Sequence, residues 1–343
     1  DYVKELNVQS VKIAKEVAEE YSTPEKPRFV AASIGPTNKT ASISPDVMNP
    51  AYRDVTFDEL VTTYKEQVET LADCDVDIFL IETIFDTLNA KAAIYAIKQV
   101  LQEKNKDIPI MLSVTLSDKS GRTLSGQTLE AFYYSVEFAN PLSIGLNCSL
   151  GIKDMIPYIE ELGTYTKFRI SLYANAGLPN AFGEYEQTPE MMAEGYRELA
   201  QKGLLNICGG CCGTTPEHIN AIYNAVKDIT PHTVSNIENY QSYSGLEPFV
   251  YNGNQNFVMV AERTNVTGSK KFARLVNEHK FDEALEIARE QIENGANIID
   301  INMDSDLSNS KDLMIEFLNL IASEPDIAKV PIMIDSSDFR VLE

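Results

Sequence analysis

Six short apolar runs, at 29–34, 76–81, 109–114, 142–146, 168–174 and 204–207, alternate with stretches of helical periodicity. The helical stretches are 8–21, 57–72, 87–102, 128–139, 155–162 and 189–203, and a further one ends by 228. In the first of them Val11, Ile13, Ala14, Val17 and Ala18 form one apolar face, the spacing of a helix with one buried stripe. A run that is apolar at nearly every position has no wet face, so it is a strand buried on both sides. Such strands, separated by helices, make a parallel sheet wrapped by helices. The expected fold class is α/β, with a (β/α)8 TIM-type barrel as the leading architecture. A doubly wound sheet ranks second, because no glycine-rich phosphate loop follows a first strand.

The chain has 343 residues, room for one large domain and part of another. A hydrophobic content of 44% is enough for a full core. The net charge of −22 argues against a nucleic-acid partner, whose phosphates would repel it. No apolar run reaches membrane-spanning length and there is no signal peptide, so no membrane is expected. Five cysteines are odd in number and sparse. That argues against a disulfide framework and for the reducing cytoplasm. The first residue is not methionine, and the chain is expected to begin partway through a larger protein.

Polar residues gather at the carboxyl ends of the runs: Thr37, Glu82, Asn147, Cys148, Asn175, Cys211 and Cys212. In a barrel those ends converge on one mouth, where active sites form. The sharpest of these features is Asn206-Ile207-Cys208-Gly209-Gly210-Cys211-Cys212-Gly213-Thr214-Thr215. Its glycines allow a tight bend that can aim two adjacent sulfurs at one point. Zinc takes thiolates at roughly 2.3 Å each. Cys148, at the end of another strand, reaches the same mouth and supplies a third sulfur, leaving a fourth position open. The alternatives are buried thiols in a turn, a Cys208-x-x-Cys211 redox pair, and a structural zinc knob. The knob would need a fourth protein ligand, for which His218 is near enough to consider. Glu82 is either a solvated strand end or the holder of a substrate ammonium. Asn147 and Asn175 are weaker candidates, since asparagine often only forms turns.

A polar stretch at 229–253, with Pro231 and Pro248, reads as a linker. It divides a first domain, 1–228, from a second, 254–343. In the second, apolar runs at 257–261, 298–301 and 330–334 alternate with helical stretches at 281–294 and 312–321. The runs end in Glu262-Arg263-Thr264-Asn265, Asn302-Met303-Asp304 and Asp335-Ser336-Ser337. This is the expected start of a second (β/α)8 barrel. Acids and amides at such ends can pair with a flat, nitrogen-rich heterocycle.

Taken together, these motifs resemble the N-terminal half of the cobalamin-dependent methionine synthases over nearly the whole chain. For the homocysteine module they are Gly35-Pro36-Thr37-Asn38, Ala41-Ser42-Ile43-Ser44-Pro45-Asp46, Ile81-Glu82-Thr83, Gly121-Arg122-Thr123-Leu124-Ser125-Gly126, Gly145-Leu146-Asn147-Cys148, Asn175-Ala176-Gly177-Leu178-Pro179-Asn180 and Gly209-Gly210-Cys211-Cys212-Gly213. The second series is similar to the family's methyltetrahydrofolate barrel. Tandem modules set the chain apart from betaine- or S-methylmethionine-dependent relatives.

The resemblance implies that Cys148, Cys211 and Cys212 carry zinc and that homocysteine binds there, held by Glu82, Asn147 and Asn175. It implies a folate site at Glu262, Asn265, Asn302 and Asp335. It also implies methyl transfer from 5-methyltetrahydrofolate through methylcobalamin to homocysteine, the cobalamin riding on a further domain of the same enzyme. The family's first two barrel strands are not found in this sequence. The expected barrel therefore lacks them, with open edges at 29–34 and 204–207. The competing readings are a zinc-binding fragment without catalysis of its own, or another zinc-dependent thiol methyltransferase.

Overall fold

The six apolar runs form six strands of one parallel sheet in the computed structural model, which describes residues 2–234, 238, 240–304 and 309–343. The strands are β1 (Ala31–Ile34), β2 (Ile78–Ile84), β3 (Ile110–Val114), β4 (Ser143–Gly151), β5 (Arg169–Asn175) and β6 (Ile207–Gly210). The helices of this stretch are α1 (Tyr2–Tyr21), α2 (Phe57–Asp73), α3 (Thr87–Lys104), α4 (Leu129–Val136), α5 (Ile152–Tyr165), α6 (Pro189–Gln201) and α7 (Pro216–Val226). Strand order follows chain order, and every neighbouring pair is parallel. The sheet curls into a half-barrel of TIM type, with β1 and β6 as its edges among the described residues. None of the described helices is long and apolar enough to cross a membrane.

Local chemistry sets the helix starts. Thr56 and Glu59 exchange side chain-to-backbone bonds at the head of α2, satisfying two amides that the first turn leaves without carbonyl partners. Asp86 does the same for Leu88 and Asn89 at the head of α3. β3 is buried at all five positions, as a strand covered on both faces must be.

Three strands differ from the apolar runs. β2 and β4 continue past the points where the runs stop, so Glu82, Asn147 and Cys148 lie within strands. The ladder slips there and then resumes: between Ile81 and Ile84 on β2, and between Asn147 and Gly151 on β4. β6 begins at Ile207 because Asn206 acts as a bracket before it. Its amide donates to Ile170 O at 2.9 Å, and its Oδ1 accepts from Ile170 N at 2.9 Å.

The chain divides into two compact units. One holds Asp1–Lys39, Val55–Ser125 and Val136–Ile237; the other holds Thr40–Asp54, Gly126–Ser135 and Glu238–Glu343. Two segments N-terminal to residue 229 thus pack with the second unit. Arg53 donates to Asn319 O at 3.1 Å, Asn319 donates to Ala51 O at 3.1 Å, and Thr128 N donates to Leu246 O at 3.0 Å.

Within the stretch expected as a linker, β7 (Gln241–Ser244) and β8 (Pro248–Tyr251) pair antiparallel. Residues 235–237 and 239 of that stretch lie outside the described residues. The second unit then has a parallel sheet of β9 (Val260–Asn265), β10 (Ile298–Asn302) and β11 (Ile332–Asp335), with β10 in the middle. Its helices beyond α4 are α8 (Lys270–Asn277), α9 (Phe281–Glu293), α10 (Ser310–Ala322), α11 (Pro325–Ala328) and α12 (Phe339–Leu342). Phe272, Phe317, Ile299 and Ile301 are fully buried in its core.

One side chain pins the edge strand that leads to the cysteine turn. Tyr196, on α6, accepts from Ala174 N at 2.9 Å and donates to Gly209 O at 2.7 Å. Tyr196→Phe strands a buried backbone amide, a loss of about 1–3 kcal/mol. Urea unfolding is expected to show a drop of that size; an unchanged midpoint would contradict the pinning role.

Candidate metal centre

Cys148 comes from the slipped part of β4, and Cys211 and Cys212 from the turn after β6. Their three sulfurs lie within 4.8 Å of one another, with Cys148 Sγ 3.5 Å from Cys212 Sγ. All five cysteines are free thiols. Cys148 and Cys211 are half-buried and Cys212 is exposed.

Backbone bonds hold the turn. Cys211 N donates to Ala174 O at 2.9 Å, and Ala176 N donates to Cys212 O at 2.9 Å. Thr214 Oγ1 donates to Cys211 O at 2.7 Å. Gly213 has φ +77°, and a Cβ there would stand 2.3 Å from the Tyr185 ring. Only glycine meets both conditions. Cys148 and Ser149 themselves take φ +63°, a region that non-glycine residues rarely adopt unless their surroundings impose it.

The amides expected at the mouth are both buried. Asn175 Oδ1 accepts from Cys212 N at 3.0 Å, so it braces the turn. Asn147 turns its carboxamide toward Thr83 and Ser113. Glu82 is half-buried, and Ser33 Oγ donates to it. His218 caps α7: its ring bonds Thr215 on one side and Gln187 O at 2.8 Å on the other. It is committed there and supplies no fourth protein ligand. Tyr185 was not foreseen from the sequence. Desolvation, then its bond to Cys212, raise its phenol pKa.

Burial pushes the Cys211 thiol up to about 12, with the neighbouring Cys148 adding to the shift. Burial first, then Cys212, also raise Cys148. Both thiols are therefore neutral near pH 7 in the metal-free protein. The donor set suits zinc: three sulfurs from β4 and the turn after β6, none in a disulfide, with one face exposed.

In the second unit the expected folate residues line up. Asn302 pairs in register with Asp335 on one side and with Asn265 on the other. Asn302 Nδ2 donates to Asp335 Oδ2 at 2.9 Å, and Asn265 Nδ2 to Asp300 Oδ2 at 3.3 Å. Glu262 is exposed. Asp300 belongs to the Asp300-Ile301-Asn302 motif of the resemblance but had no role assigned from the sequence; burial, with the charges of Asp335 and Glu262, raises its carboxyl pKa. Asp304 accepts from Ser336 Oγ and from Ser337 N, both at 2.6 Å, joining the ends of β10 and β11.

Two outcomes follow for zinc. Binding must displace at least the Cys148 and Cys211 protons, so affinity should strengthen with rising pH by about a hundredfold per unit near neutrality. A chelator competition series between about pH 6 and 8 reads this, and a flat profile would contradict it. Cys208 is outside the sulfur group, and burial holds its thiol near 12. Cys208→Val should retain stoichiometric zinc, since valine suits a buried strand; loss of the metal would revive the Cys208–Cys211 pair.

The family model of homocysteine S-methyltransferases matches residues 1–226, and that of pterin-binding enzymes matches 261–343. Among solved structures, the chain is similar to the metallated form of the homocysteine methyltransferase MmuM from Escherichia coli. The identity is 22%, over 64% of this chain and 70% of that one, with a TM-score of 0.50. The apo form of the same protein gives 22% identity over 65% and 73%, with a TM-score of 0.49. At that identity the structural likeness speaks for the fold alone. The family match covers well over half of the sequence, and the chain belongs to the homocysteine S-methyltransferase family, with a pterin-binding domain behind it.

Proposed function

We propose that the chain forms the homocysteine and folate parts of a cobalamin-dependent methionine synthase. The observation that carries this is the meeting of Cys148 with Cys211 and Cys212 in a chain that also matches a pterin-binding family. A methyl-accepting thiol module beside a pterin module supports methylfolate as the methyl source.

Cys148, Cys211 and Cys212 would hold zinc and leave one position for the substrate sulfur. Zinc held there would supply the positive charge that favours the thiolate form of a coordinated thiol. Glu82 would take the homocysteine ammonium through a charge-assisted hydrogen bond. Asn175 keeps the cysteine turn in place through Cys212 N. In the second unit, Asn265, Asn302 and Asp335 would read the edge of the pterin ring, with Glu262 and Asp300 beside them. The methyl group would pass from 5-methyltetrahydrofolate to a cobalamin-binding domain of the same enzyme, and then to sulfur. The products would be methionine and tetrahydrofolate.

Zinc-loaded chain given homocysteine and free methylcobalamin is expected to form methionine, and Cys211→Ala to bring the rate to background. No methionine from a chain holding stoichiometric zinc would leave it a metal-binding module without catalysis of its own.

A further inference from the structure

Two residues of the proposed site sit at breaks in the sheet. Glu82 lies where β2 slips against β3, and Cys148 where β4 slips against β5. At both breaks the backbone enters the left-handed region: Thr83 at φ +56°, Cys148 and Ser149 at φ +63°. A branched Cβ clashes with the backbone in that region, so threonine does not stay there unaided.

Asn147 supplies the restraint. Its Oδ1 accepts from Thr83 N at 3.0 Å, and its Nδ2 donates to Thr83 Oγ1 at 2.9 Å. The same Oδ1 accepts from Ser113 Oγ at 2.6 Å, and Thr115 Oγ1 donates to Asn147 O at 2.9 Å. β2 and β4 are not neighbours, because β3 runs between them. The carboxamide therefore reaches across β3, taking Ser113 on the way. The residue is 1% exposed, so water does not compete for these bonds.

We propose that Asn147 is a positioning residue that locks Thr83 in its left-handed conformation and so fixes the Glu82 carboxylate relative to the Cys148 sulfur. Through this lock the site selects a thiol that also carries an ammonium group over a thiol that does not. The inference rests on the proposed roles of Glu82 and the three cysteines. Asn147 itself acts through Thr83 and not through contact with the ligand.

The test uses the full chain loaded with cobalt(II), whose sulfur charge-transfer absorption reports thiol binding. It is titrated with homocysteine and, separately, with 1-propanethiol, which has no ammonium. Asn147→Ala should lower the ratio of homocysteine to propanethiol affinity by about tenfold, the loss of one well-made polar contact. Adding Thr83→Gly should recover most of that ratio, because glycine takes positive φ without a Cβ penalty. A purely structural role for Asn147 predicts no such rescue, since glycine adds no bond. Should Asn147→Ala fail to fold, Thr83→Val carries the test. It keeps the branched Cβ and loses the Asn147 Nδ2 bond, so the ratio should fall, by less than in Asn147→Ala. An unchanged ratio in Asn147→Ala, or a fallen ratio that Thr83→Gly leaves low, would overturn the proposal. So would an unchanged ratio in Thr83→Val. Unmutated protein that shows no preference for homocysteine would instead overturn the reading of Glu82 on which the proposal rests.

Discussion

The candidate centre depends on the register of three parallel strands. Leu146 on β4 pairs with Leu172 on β5, and Leu172 pairs with Cys208 on β6. These three residues form one row across the sheet. Cys148 stands two residues beyond that row and Cys211 three, both towards the carboxyl edge. A strand rises about 3.3 Å per residue, so straight strands would leave them at different levels; the slip in β4 and the turn after Gly210 bring the sulfurs together. Sulfurs separated by 64 residues in sequence, as Cys148 and Cys212 are, thereby come to 3.5 Å. The same count keeps Cys208 away, for it lies within the row, level with a fully buried leucine. A one-residue slip of β6 would turn its side chains to the opposite face and dissolve the cluster.

The second unit repeats the device with different chemistry. Asn265, Asn302 and Asp335 occupy one row at the ends of β9, β10 and β11. Parallel pairing places equivalent strand ends side by side, so a polar residue closing each strand yields a polar edge without any long-range signal in the sequence. That row, and the buried Asp300 below it, give the proposed folate site its hydrogen-bonding groups.

Much of this was legible in the sequence because a buried parallel strand is apolar almost throughout and its polar end stands out. The runs predicted the six strands and the mouth that gathers Cys148, Cys211 and Cys212, while the two edges came from the family resemblance. The sequence was silent on features that depend on backbone conformation. Nothing in Glu82-Thr83 or Cys148-Ser149 marks a left-handed backbone, since neither holds glycine. Asn147 therefore read as a mouth residue, whereas its carboxamide turns sideways to Thr83. The hairpin at Gln241–Tyr251 was hidden by a polar composition that suits a linker equally well. Tyr185 escaped notice because it comes from a loop after β5, and only Gly213 beside it hints at a ring packed overhead.

In the proposed function, Cys148, Cys211 and Cys212 form an open metal site for a thiol substrate. X-ray absorption at the zinc edge of the loaded chain counts the sulfurs around the ion. Three sulfur neighbours at about 2.3 Å, becoming four on addition of homocysteine, is the predicted result. Fewer than three sulfurs, or four before any thiol is added, would contradict it.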